Sequence, residues 1–157
     1  MPTGTYEPIA TFSPTSGTSY TFSSIPQNYT DLVLSGSIKT SGTGTAYLQL
    51  NGIGSSYDWS YLNRTGGTNS NDQVGAIEIG DVLSTSLGSF HLNINNYSAT
   101  TLLNKCVIGY HGWGSGMYYL GAGLRTSNAI TSITIYTSGP SFTSPSKLTL
   151  YGIRKFT

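Results

Sequence analysis

The amino-acid sequence predicts an all-β protein, an antiparallel, jelly-roll-like β-sandwich formed by one domain over residues 1–157. Three observations carry this expectation. Short runs of β-branched, aromatic and leucine residues recur along the chain, each bounded by Gly, Ser, Thr, Asn or Pro, as in sandwiches and barrels. Within several runs the apolar residues take every second place, the period of a strand buried on one face. Polarity comes from hydroxyls and amides: there are 23 Ser and 22 Thr, and charged residues make up 8%, against about 25% in an average domain. A chain of 157 residues fits one domain. At that size it buries roughly two thirds of its unfolded surface, enough for stability without a disulfide or structural metal.

Strands are expected at Tyr6–Phe12, Ser19–Ser23, Asp31–Ile38, Ala46–Asn51, Asp58–Asn63, Gly75–Gly80, Ser89–Tyr97, Asn104–His111, Met117–Arg125, Ser132–Tyr136 and Lys147–Ile153. Alternation assigns the faces. Phe90, Leu92 and Ile94 point to the core, while His91, Asn93 and Asn95 face water or a partner. Leu48 with Leu50, Ile77 with Ile79, Ile133 with Ile135, and Leu148 with Leu150 repeat the pattern, and one apolar face per strand suits two packed antiparallel sheets. Turns are expected at Thr40–Gly44, Gly52–Gly54, Gly66–Asp72 and Ser138–Pro140, where glycine and proline supply positive or preset φ. The longest loop is expected over Arg64–Gln73 and the next over Gly109–Gly116, which contains Trp113. Residues 1–5 are expected to form a mobile N-terminal arm.

Composition excludes several functions. A net charge of +1 gives weak protection against self-association, which favours an assembled state. Seven scattered Lys and Arg residues form no basic patch, so nucleic acid is not an expected partner. No stretch approaches the roughly 18 apolar residues of a membrane span, and Met1–Glu7 has neither a basic nor an apolar signal region. Membrane association is therefore not expected, and synthesis is expected in a cytoplasm. The single cysteine, Cys106, in Cys106-Val107-Ile108, is expected to be a buried structural thiol.

Catalytic chemistry is not expected either. The acids Glu7, Asp31, Asp58, Asp72, Glu78 and Asp81 and the histidines His91 and His111 show no metal-ligand spacing and no nucleophile elbow. Neither a metal nor a cofactor is implied. Cys106 and His111, five positions apart, fall on opposite faces of one strand. The aromatic residues are more informative. Trp59, Tyr61, Trp113 and Tyr118, with Tyr57, Tyr110 and Tyr119 nearby, lie close to glycine-rich segments. Packing between sheets, anchoring of a subunit or particle interface, and a platform for sugar are the roles such rings suit.

Several strings resemble small structural proteins of tailed bacteriophages. They are Tyr6-Glu7-Pro8-Ile9-Ala10, Tyr29-Thr30-Asp31-Leu32-Val33-Leu34-Ser35-Gly36-Ser37, Leu48-Gln49-Leu50-Asn51-Gly52, Ala129-Ile130-Thr131-Ser132-Ile133-Thr134-Ile135 and Leu148-Thr149-Leu150-Tyr151-Gly152-Ile153. The resemblance implies a virion component with a β-sandwich and no catalytic motif. The expected function is that of a capsid decoration, or cement, protein: a homotrimer on the outer capsid surface, bound to the major capsid protein. The alternative is a tail or tail-fibre protein that recognises host glycan.

Overall fold

Phe90, Leu92 and Ile94 turn inward from a strand whose other face carries His91, Asn93 and Asn95, and the same alternation governs most of the core. The computed structural model describes residues 5–63, 68–101, 104–114 and 116–154. Its strands are β1 (Tyr6–Phe12), β2 (Ser19–Phe22), β3 (Tyr29–Ile38), β4 (Gly44–Leu50), β5 (Tyr57–Asn63), β6 (Thr68–Val74), β7 (Ile77–Val82), β8 (Gly88–Asn95), β9 (Asn104–Trp113), β10 (Gly116–Arg125), β11 (Ile133–Thr137) and β12 (Lys147–Arg154). All sheet pairings among the described residues are antiparallel.

The strands form an eight-stranded sheet in the order β1-β12-β3-β8-β9-β10-β5-β6 and a four-stranded sheet in the order β2-β11-β4-β7. Within this arrangement, β1-β12-β3-β8 and β2-β11-β4-β7 bury one common core, and the chain changes sheet at every step from β1 to β5, from β6 to β7 and β7 to β8, and from β10 to β11 and β11 to β12. That is the strand order of a jelly roll, whose two interleaved Greek keys fill two four-stranded sheets. The remaining hairpins, β5–β6 and β9–β10, are insertions that extend the larger sheet beyond β8. The core lies between the sheets, where Leu32, Leu34, Leu48, Leu50, Ile77, Leu92, Ile94, Ile133, Ile135, Leu148 and Leu150 are buried.

Two side chains splice the turn after β4 into this frame. Asn51, at φ 54°, accepts from the amides of Thr131 at 2.8 Å and Ser132 at 3.1 Å and donates to the Ala129 carbonyl at 2.8 Å. Tyr57, fully buried, uses its hydroxyl to accept from the Leu50 amide at 2.7 Å and donate to the Leu50 carbonyl at 3.1 Å. The β4–β7 ladder ends at Leu48 opposite Ile77, so the phenol stands where a strand partner would otherwise satisfy Leu50.

Three expectations are corrected. The loop expected over Arg64–Gln73 is instead part strand: Thr68–Val74 pairs with β5, from Leu62 opposite Thr68 to Tyr57 opposite Val74, and residues 64–67 lie outside the described residues. Its sequence lacks apolar alternation, and backbone pairing with β5 is what makes it a strand. The loop expected over Gly109–Gly116 shrinks to the hairpin end between Trp113 and Gly116, because Gly109 serves packing and not a turn. A Cβ on Gly109 would meet the His91 carbonyl at 2.1 Å. Cys106 is half-buried on the outward face of β9 and does not join the core, since its neighbours Lys105 and Val107 take the inward positions. Residues 1–4 of the expected arm lie outside the described residues, and the Thr5 carbonyl accepts from the Arg154 amide at 3.1 Å.

Candidate functional site

The two inserted hairpins bring together all four aromatic residues singled out from the sequence. Trp59 and Tyr61 stand two apart on β5, Tyr118 on β10 lies on the same inward face, and Trp113 closes β9. Trp59 stacks on Tyr61 at 5.4 Å between ring centroids, Tyr61 meets Tyr118 at 4.3 Å, and Tyr118 meets Trp113 at 4.5 Å. The series continues through His111, 5.2 Å from Trp113, to Phe90 at 6.4 Å. Of the three roles open to these rings, packing between the sheets is the one their burial shows. Trp59 is only 5% exposed, and Tyr61, Trp113 and Tyr118 are half-buried where β7, the edge of the smaller sheet, crosses beneath β5, β9 and β10.

Glycine makes room for this ladder. Gly80 on β7 has φ 137°, and a Cβ there would fall 2.4 Å from Cδ2 of Tyr118 and 2.7 Å from Nδ1 of His111. The Tyr118 hydroxyl donates to Asp81 Oδ2 at 3.3 Å. Burial, followed by the negative charge of Asp81, pushes the Tyr118 phenol up from its ordinary range, so it stays protonated as a donor. His111 is 1% exposed. Burial pushes its imidazole down to about 4, with the Ile79 backbone opposing weakly, and neither ring nitrogen reaches a partner at hydrogen-bond geometry. It is a neutral core histidine.

The outward face of the same strands is different. Leu62, Ile108, Tyr110, Met117 and Tyr119 are exposed there, whereas the jelly-roll frame and its loops expose only Tyr6 and Leu87 among large apolar side chains of the described residues. Tyr119 pairs across strands with Tyr110 on one side and Leu62 on the other. Gly121, opposite Ile108 and Ser60, leaves a hollow of about 380 Å³ bordered by Tyr119, Ile108 and Leu62. His91 stacks on Tyr110 at 5.7 Å and continues the face toward the frame. The charges at its far end neutralise one another, Arg125 Nη2 lying 2.5 Å from Asp58 Oδ2.

Alternation does not reveal these outward residues, because it assumes one wet face. The signal lies in its interruption: Val107-Ile108 and Met117-Tyr118-Tyr119-Leu120 are unbroken apolar runs, as expected of strands covered on both faces. Among the described residues, no three His, Cys, Asp or Glu side chains gather as a metal site would require. No protein-family model matches the chain, and neither does any curated protein sequence or solved structure.

Proposed function

We propose that the protein is a non-enzymatic virion subunit, an outer-capsid decoration protein, whose copies associate through the outward face of the inserted hairpins. The observation that carries the assembly is the concentration of Leu62, Ile108, Tyr110, Met117 and Tyr119 on that face. A contiguous apolar patch on a soluble domain marks an interaction surface, and aromatic and methionine side chains are the types enriched at interface centres. A second copy suits it, because among the described residues the face carries no uncompensated charge where the tyrosines and Ile108 stand, and a chain of net charge +1 repels itself little. At ordinary strand spacing the four hairpin strands present a face of roughly 19 Å by 28 Å, on the order of 500 Å² and so smaller than the ~800 Å² each partner gives a standard interface.

The virion setting and the trimeric state rest on the strings that resemble tailed-phage structural proteins. In that setting a subunit that binds the assembled shell of major capsid protein, and not its separated parts, stabilises the shell by mass action. The hairpin face holds the trimer together, leaving the frame and the arm for the capsid. Cryo-electron microscopy of intact particles tests the reading: density at lattice axes of the head supports it, and density at tail or fibre tips overturns it. The assembly has its own test. Tyr119→Lys combined with Ile108→Lys should convert the sedimenting species from oligomer to monomer, and an unchanged species would remove the proposed interface.

A further inference from the structure

The smaller sheet carries a second feature on its outward face, away from the hairpin face. Tyr136, Tyr47 and Glu78 stand side by side across β11, β4 and β7. The two rings stack at 5.2 Å with 20° between their planes. Beside them a cleft of about 350 Å³ opens, bordered by Tyr47, Gln49, Trp59, Glu78 and Tyr136 and floored on one side by backbone at Gly54 and Gly75. This is the low end of the ~300–1,000 Å³ range of small-molecule sites.

Each wall offers a different chemistry. The stacked tyrosines supply flat apolar area with hydroxyl handles. Gln49 is held in place, its Nε2 donating to the Gly75 carbonyl at 2.7 Å, which leaves its amide oxygen and one N–H for a ligand. Glu78 has no basic partner: the ion pairs among the described residues are Arg125 with Asp58 and Arg154 with Glu7. Half-burial, then the nearby charge of Asp81, raises its carboxyl above the ordinary range. A Cβ on Gly54 would meet nothing within 4 Å, whereas one on Gly75 would press on the Gly54 carbonyl oxygen at 3.2 Å, so the two backbone segments lie close together here.

We propose that this cleft is a saccharide site for an uncharged pyranoside, with a ring face on the Tyr47–Tyr136 pair and adjacent sugar hydroxyls donating to Glu78 and exchanging hydrogen bonds with Gln49. A carboxylate that accepts two hydroxyl hydrogens makes charge-assisted bonds, and the aromatic pair takes the apolar face of the ring. Glu78 and Asp81 together exclude uronic acids, sialic acids and phosphorylated sugars by like-charge repulsion. The site goes beyond a purely structural virion role and gives the particle a means of adhering to glycan.

The test is titration of the isotope-labelled protein with methyl α-mannoside, methyl β-galactoside, methyl β-glucoside and methyl N-acetyl-β-glucosaminide, followed by amide NMR, with glucuronic acid as the charged control. At least one neutral glycoside should give saturable shifts, at about millimolar affinity, confined to amides around Gln49, Gly54, Gly75 and Glu78. Glu78→Gln and Tyr136→Ala should each weaken it by roughly tenfold or more, while their spectra report that the fold is kept. Tyr119→Lys, on the other sheet, should leave it unchanged, so loss of assembly and loss of sugar binding are read separately. Absence of saturable shifts with all four glycosides, equal binding of glucuronic acid, or binding indifferent to Glu78→Gln would each overturn the proposal.

Discussion

Gly80 and His111 share one small space: a Cβ on the glycine would sit 2.7 Å from the imidazole Nδ1, and on the opposite side one on Gly88 would sit 2.7 Å from Nε2. The histidine is thus held between two backbone segments that only glycine allows so close. Gly80→Ala adds overpacking to backbone strain at φ 137° and is expected to cost about 3 kcal/mol. Urea unfolding of the variant against the native protein measures this, with the slope unchanged and the midpoint lowered.

The same burial makes stability depend on pH. His111 titrates at about 4 in the folded state and near 6.5 when unfolded, so between these values the unfolded chain binds the extra proton. Stability is therefore complete above about pH 6.5 and declines as pH falls to about 4, by roughly 3 kcal/mol. Glu78, whose carboxyl is raised, acts in the opposite direction at the acid end. Denaturant midpoints across this range should slope downward toward acid in the native protein and flatten in His111→Leu.

Cys106 offers a probe of the proposed assembly. It lies on the outward face of β9, two residues from Ile108, and is half-buried in the single chain. Under the proposed assembly, a maleimide should react slowly with the native protein and faster by about tenfold or more with the Tyr119→Lys, Ile108→Lys variant, since an interface core excludes water and reagent alike. Equal rates measured by mass spectrometry would place the interface elsewhere.

Tyr57→Phe tests the splice at the end of β4. Removing one oxygen leaves the Leu50 amide without the phenol that serves it at 2.7 Å, while the Leu50 carbonyl keeps the Ile53 amide at 3.1 Å. A loss of about 1–3 kcal/mol is expected, the cost of one unsatisfied buried donor. Thermal unfolding should register it as a lower midpoint with an unchanged fold by circular dichroism.

Much of the fold was legible from alternation. Phe90, Leu92 and Ile94, Leu48 and Leu50, Ile133 and Ile135, and Leu148 and Leu150 all occupy the core positions their spacing requires, because a strand has a period of two whatever its neighbours are. The strand over Thr68–Val74 was not legible. Its hydroxyls and amides carry no apolar rhythm, and only the free edge of β5 gives its backbone a partner.

The sequence by itself determined the strands other than β6, the inward faces of the frame and the low charge. Tertiary structure alone decided where the aromatics meet. Trp59 and Trp113 are far apart in the chain and become one ladder because two hairpins inserted at different points pair side by side, β10 against β5. It also decided that β5, β9 and β10 keep a second apolar face outward, and that Glu78 stands beside Tyr47. Local spacing sets which way a side chain points along its own strand, but the neighbour it meets depends on sheet order and register, which arise from pairing between distant segments.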